Sequence, residues 1–271
     1  MNPDNKLPTE QHSNISQEEF LKLVKDLNST QTFDVTFTNG STYSFKELTT
    51  NQLKQLVKAI VDSPLTQAEF NNTLFQIMKE SCLDQNVDFA AYNIVDRLIF
   101  CLTTRIHSLS DSFTLTTEKK TYAVKLDEVL NSLHACLQNN TITFQDSTTT
   151  KGEITLTYGL PTLKVEEQLN KEIYKNKDIN VETAEDLRKI LGEAFINEIA
   201  KSIKTAKIKD SVIDFNTQNF KVRLNILEQL PALVMQDVIT FIEKYKKEIE
   251  NSLRLDEDTI LPIDGSLFSL R

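Results

Sequence analysis

The sequence predicts an α+β fold: an N-terminal β-hairpin packed on a helical cluster, a small β-rich insert, and a C-terminal helical region with an extended apolar tail. Three observations lead there. Phe33, Val35 and Phe37 alternate with polar residues up to Asn39-Gly40, and Tyr43 and Phe45 alternate beyond it, as in two strands joined by a type I′ turn. From Ala91 through Val95, Leu98 and Leu102 to Ile106, apolar residues recur at spacings of three and four, which is one face of a helix. After His107 the composition changes, and alternating runs rich in Thr and Ser replace the helical period. The resulting divisions are a flexible polar arm (1–15), a hairpin plus helical core (16–110), a β-rich insert (111–160), and a C-terminal helical region with its tail (161–271).

Each element has a local reason. Ser16 with Glu19 forms a capping box ahead of Phe20, Leu21, Val24 and Leu27. Thr49 with Gln52 opens a helix carrying Leu53, Leu56, Val57, Ile60 and Val61, and Pro64 ends it. Thr66 with Glu69 opens the next, through Phe70, Leu74, Ile77 and Met78. Asn93 caps the central helix, and Asp96 suits the positive end of its dipole. In the insert, FTLTT, TYAVKL, TITFQ and EITLTYG read as strands, EKK and DSTTTKG as turns, and Asp127–Leu137 as a helix. Val165, Leu169 and Ile173 then mark one helix. Thr183 with Asp186 caps another, which carries Leu187, Ile190, Leu191, Ala194, Phe195, Ile199 and Ile203. A helix through Phe220, Leu224, Leu227 and Leu230 stops at Pro231, and a last one runs from Val234 to Ile249. The closing DTILPIDGSLFSL is apolar for an exposed end, so it docks on its own fold or on a partner.

With 30 basic and 39 acidic residues the net charge is −9, which speaks against general binding to nucleic acid or to an anionic membrane. The three cysteines, Cys82, Cys101 and Cys136, are odd in number and widely spaced, as in a reduced, cytosolic protein. No apolar run reaches membrane-spanning length, and the first residues lack the basic and apolar regions of a signal peptide. Five glycines leave little room for phosphate-cradling loops.

Candidate chemistry is thin. A metal site would use His134 and Cys136 with Cys82, Cys101 or His107, but no second short-spaced ligand pair exists. Cys101 lies inside the most apolar helix, and His134 and Cys136, two apart on a helix, point different ways. The acidic pairs Asp127-Glu128 and Glu166-Glu167 read as helix-terminal or solvated charges. Lys201, Lys204, Lys207 and Lys209 have no interleaved aromatic platform and read as a solvated helix end. No nucleophile-elbow, P-loop or dinucleotide fingerprint is present. The expectation is no catalytic residue, no cofactor and no metal. Arg97 reads as one half of an internal ion pair with Asp84, Asp88 or Asp96. For Arg105 that reading stands level with an interface anchor.

The order of elements carries a resemblance. A hairpin is followed by a helix opening LTTNQLKQLVKAI, then by a helix ending near ESC, then by YNIVDRLIFCLTTRIHSLSDSF leading into a β insert. This resembles the T4-like phage baseplate hub proteins, which include hub subunits and hub assembly proteins. The family pattern of an Asp near the start of a Leu/Phe-rich helix ending in Arg and Ser falls on Asp96, Leu98, Phe100, Leu102, Arg105 and Ser108. GLPTLK (159–164), LNILEQLPALVMQDVITFIEK and LPIDGSLFSL are similar to later family segments. Two departures exist. Leu109 follows Ser108 where some relatives carry Gly. The insert FTLTTEKKTYAVKL lacks the cysteines of a zinc-ribbon-like insert found in some relatives, which leaves a simple hairpin.

The resemblance implies a non-enzymatic protein that builds the baseplate hub of a contractile tail, as virion component or assembly factor. It would sit in the host cytoplasm during assembly, with the tail baseplate as the other location. Its partners would be other baseplate hub or wedge proteins, with no nucleic acid and no membrane, and a homo-oligomer stays open. The interface candidates are Arg97, Arg105, Ile260, Ile263, Asp264, Leu267 and Phe268. On this reading, deleting residues 259–271 leaves a folded protein that no longer binds its hub partner. The alternatives are an unrelated cytosolic adaptor and an enzyme without a recognisable motif. A polar pocket with convergent titratable groups would favour the enzyme.

Overall fold

Phe33 and Val35 put alternate side chains on one face of β1 (Thr32–Thr36), which pairs antiparallel with β2 (Thr42–Lys46) in the register Phe33↔Phe45 and Val35↔Tyr43. The computed structural model describes residues 31–62, 67–139, 142, 143, 145–174 and 183–269, together with the single positions Lys22 and Val24. The polar arm, the Ser16–Glu19 box and Thr66 lie outside the described residues. The hairpin turn differs from the expected type I′. Gly40 alone is left-handed, at φ 82°, and its N–H bonds the Phe37 carbonyl at 2.9 Å while the Phe37 N–H bonds Ser41. Asn39 stays right-handed because its side chain accepts from the Ser41 N–H at 2.9 Å. The connection is therefore a three-residue loop closed by a left-handed glycine.

The hairpin's inner face rests on the central helix. Thr49 and Gln52 cap α1 (Thr50–Asp62) reciprocally. α2 (Ala68–Ser81) follows, and a short turn at 89–91 leads into α3 (Ile94–Ser108). Val95, Leu98, Ile99, Phe100, Cys101 and Leu102 are all buried, so α3 is covered on more than one side, as its widened apolar face predicts. Phe45 meets Phe100 at 5.0 Å between ring centroids, and Phe37, Tyr43, Phe89 and Tyr92 complete an aromatic cluster in tilted and edge-on contacts.

A second hairpin, β3 (Ser112–Thr116) with β4 (Thr121–Lys125), runs directly into α4 (Leu126–Gln138). The segment DSTTTKG is not a turn. β5 (Ser147–Lys151) takes most of it, and Gly152, at φ 61°, starts the two-residue connection to β6 (Ile154–Tyr158). TITFQ forms no named strand among the described residues, although Ile142 is buried.

The C-terminal half departs most from expectation. α5 (Leu163–Leu169) passes into a π-turn at 170–174, and α6 (Ala184–Ser202), capped by Thr183 and Asp186 as expected, stops before Ile203. β7 (Ile203–Ile208) begins there without a loop, pairs with β6, and turns back as β8 (Ser211–Asp214). Lys201 and Lys204 are thus buried, at a helix end and on an inner strand, and not on a solvated helix end, while Lys207, at the outer end of β7, and Lys209, in the turn after it, are exposed. The reason is the period of two in Ile203, Thr205 and Lys207 against Lys204, Ala206 and Ile208, which seats Ala206 opposite Leu156. The sheet order is β5-β6-β7-β8, antiparallel throughout, so strands from 147–158 and 203–214 share one sheet.

α7 (Phe220–Gln229) and α8 (Ala232–Leu253) close the fold. α8 crosses the molecule, touching α4, α6, β5 and β6, and the tail returns to place a short turn at 265–268 on α1. One contiguous apolar core joins these parts, and no described helix is long and apolar enough to cross a membrane.

Candidate functional site

The polar residues of the central helix motif have structural partners. Asp96 is buried; it accepts from the Asn93 N–H to close the cap and from the Thr38 N–H at 2.8 Å, which ties the hairpin loop to the helix start. Burial raises its carboxyl above the ordinary value, against the hydrogen bonds from Asn93 and Thr38. Ser108, at the other end, accepts from the Leu48 N–H at 2.9 Å. Arg105 is buried and donates to the carbonyls of Leu267, Ser110 and Ser112, with no carboxylate partner among the described residues. The motif therefore clamps hairpin and tail onto one helix.

Arg97 forms the expected internal ion pair, but with Glu166 of α5 and not with Asp84, Asp88 or Asp96. Glu166 also faces Lys201 at 3.5 Å, Lys201 meets Glu198 at 2.5 Å, and Glu198 meets Lys246 at 3.0 Å. Signs alternate along this chain of five charges from four helices. Burial alone would raise the Glu166 carboxyl, yet Arg97 and Lys201 together hold it below its ordinary value; Lys201 and Lys246 do the same for Glu198. Burial disfavours the Lys201 ammonium, and Glu166 and Glu198 more than offset it.

The tail candidates separate. Leu267 and Phe268 are fully buried, Phe268 against the Phe70 ring, so neither is an exposed anchor for a partner. Asp264 caps the tail turn through the Ser266 N–H at 2.7 Å. Ile263 shares with Arg97 the wall of a groove of about 190 Å³ beside Phe70 and Leu74. Ile260 remains exposed. The apolar end docks on its own fold because the α1–α2 surface needs covering, and truncation at 259 would remove core side chains.

The thiols are placed for packing. Burial pushes the Cys101 thiol up to about 12, and Cys136 Sγ lies 3.1 Å from Ser252 Oγ. His107 stacks on Phe33 at 5.0 Å. Among the described residues, no group of three His, Cys, Asp or Glu side chains is placed to hold a metal ion.

Two features escaped the sequence reading. The first is the outer face of α6. Leu191 and Phe195, one turn apart, are 60% and 46% exposed, while Ile199 and Ala200 in the last turn are buried. Between them Gly192 has nothing within 4 Å of the position a Cβ would take, and it lines a largely apolar groove of about 460 Å³ with Ile196 and Leu224. A glycine inside a helix costs about 1 kcal/mol relative to alanine, and no contact among the described residues requires it. Lys189, Glu193 and Glu228 rim the groove. The apolar residues are visible in sequence, but nothing local separates the exposed Leu191 and Phe195 from the buried Ile199.

The second is a polar cavity of about 470 Å³ where the segments before α3 and α5 meet the head of β7. Asp88, Asn93, Asp146, Thr162, Lys164, Lys204 and Asn216 line it. They come from five separate stretches of chain, so no local motif announces them.

No family model, curated protein or solved structure matches this chain.

Proposed function

We propose that this chain is a protein-contact component of the baseplate hub of a T4-like contractile tail, as virion component or assembly factor, and not an enzyme. The observation that carries the reading is the ordered set of Asp96, Arg105 and Ser108 in one apolar helix, followed by the Pro161-Thr162-Leu163 step and the Ile263-Asp264 tail. The partner is another hub or wedge protein. The face offered to it is the Leu191–Phe195 ridge with the Gly192 groove, where a helix can approach the backbone closely. This replaces Leu267 and Phe268, which the core already uses. Ile260 lies on the remaining exposed part of the tail.

The test is co-purification with hub and wedge proteins encoded beside its gene. Binding is expected for the full chain and is expected to be lost in Leu191→Ser/Phe195→Ser, which changes stability by about 1 kcal/mol, about 0.5 kcal/mol for each exposed position. Undiminished binding by the double variant removes the ridge as the docking face. A gene with no tail genes around it, and a chain missing from the density of purified baseplates and of their assembly intermediates, removes the hub reading. The polar cavity is the one observation that favours a second reading, a small-molecule site.

A further inference from the structure

We propose that the cavity at the head of β7 binds the oxyanion group of a small molecule, a phosphate or a carboxylate. Lys204 and Lys164 are its cationic contacts, and the Asn216 amide and the Thr162 hydroxyl are neutral donors. This stands whether or not the hub reading holds.

The geometry creates a demand for acceptors. Lys204 is only 8% exposed, and its ammonium has three donors. One goes to the Leu160 carbonyl at 2.7 Å, and the described residues offer the others no acceptor within hydrogen-bond reach. Burial lowers its pKa, with Asp146 partly offsetting the effect. A buried ammonium with donors to spare, on the wall of a cavity, favours a ligand that brings it further acceptors. Arg223 lies one layer behind, fully buried. Its Nη2 donates to Asn216 Oδ1 at 3.4 Å, its Nη1 to the Ala200 carbonyl at 3.3 Å, and its Nε has no acceptor among the described residues. Because Arg223 takes Oδ1, the Asn216 amide nitrogen remains as a donor on the cavity wall. Thr162, at the start of α5, spends its hydroxyl on no capping bond.

The two acids on the wall do not cancel this. Asp88 and Asp146 are exposed, and Asp88 already accepts from the Ala90 N–H at 3.1 Å. Water serves an exposed carboxylate, whereas the buried cation depends on what enters the cavity. The volume falls in the range of small-ligand sites.

The full-length protein would be titrated with inorganic phosphate and, separately, with acetate at constant ionic strength, following backbone amide NMR shifts of residues 88–93, 160, 162–164 and 204. Saturable binding of at least one probe at millimolar concentration is expected; the probe that saturates identifies a phosphoryl or a carboxylate ligand. Lys164→Gln, at an exposed position, should weaken it about tenfold. Asp146→Asn should tighten it by removing a repelling charge, an outcome that a purely structural Asp146 would not give. Lys204→Met should abolish it; should that variant not fold, the other two decide. Failure of both probes to saturate overturns the proposal, as does unchanged affinity in Lys164→Gln, or unchanged or weaker binding in Asp146→Asn.

Discussion

The tail and the outer face of α6 are both apolar, and they end in opposite surroundings. LPIDGSLFSL reads as an apolar end that docks on its own fold or on a partner, and its Leu261, Leu267 and Phe268 are core of this fold. Leu191 and Phe195 belong to the apolar set of a capped helix, and they are open to solvent. The two are similar in apolar content. They differ in what surrounds them. The tail returns to a helical surface where Phe70 waits for a ring and Arg105 for a carbonyl acceptor. The first turns of α6 extend past the elements that cover its last turn. Apolarity alone therefore marks a surface to be covered, and the neighbourhood decides whether the chain covers it.

The sharpest way to break this contrast is in the tail. Phe268→Ala should cost about 3–5 kcal/mol, the usual range for a fully buried phenylalanine, and thermal unfolding would show it. Deleting residues 259–271 removes Leu261 and Leu267 as well, so the truncated chain should unfold and not merely lose a partner. A stable truncated form would return the tail to the list of docking segments.

The charged chain that ties α3, α5, α6 and α8 comes next. Glu166→Gln leaves Arg97 and Lys201 buried and under-neutralised, and should cost about 3 kcal/mol in chemical denaturation. The pH dependence has a definite sign. Glu166 and Glu198 are depressed in the folded state, so their contribution is present above their ordinary value of 4.5 and is lost as pH falls through their folded-state values. The acid limb of stability against pH should flatten in Glu166→Gln. An unchanged limb would mean that other carboxylates carry it.

The smallest effect has the opposite sign. Gly192→Ala meets open space and removes a mid-helix glycine, so it should raise stability by about 1 kcal/mol, read as a shift in denaturation midpoint. If the ridge is a docking face, the same change weakens partner binding. A gain in stability with no loss of binding would make Gly192 irrelevant to recognition.

Much of the fold was legible because its signals are local. Asn93 with Asp96, Thr49 with Gln52, and Thr183 with Asp186 satisfy orphan N–H groups at helix starts, and such bonds span only three residues. The alternation around Asn39-Gly40 placed both strands, though the Asx bond to Ser41 changed the turn type. Segment 201–209 does not announce a strand because its lysines mask the apolar Ile203, Ala206 and Ile208, and pairing with Ile154–Tyr158 is what makes it one. Arg97 was correctly read as an internal ion-pair member, with the wrong partner. Glu166 lies 69 residues away, and sequence distance gives no purchase on such a contact.

The sequence by itself determined the α+β class, the helix caps, the first hairpin and the buried central helix. Each follows from hydrogen bonds within a turn or from apolar periodicity along one element. Only the tertiary structure decided that the tail is core, that α6 presents a bare ridge, and that Lys204, Lys164 and Asn216 share a cavity. Those outcomes depend on which surfaces meet across long sequence separations, and burial is a property of neighbours, not of residues.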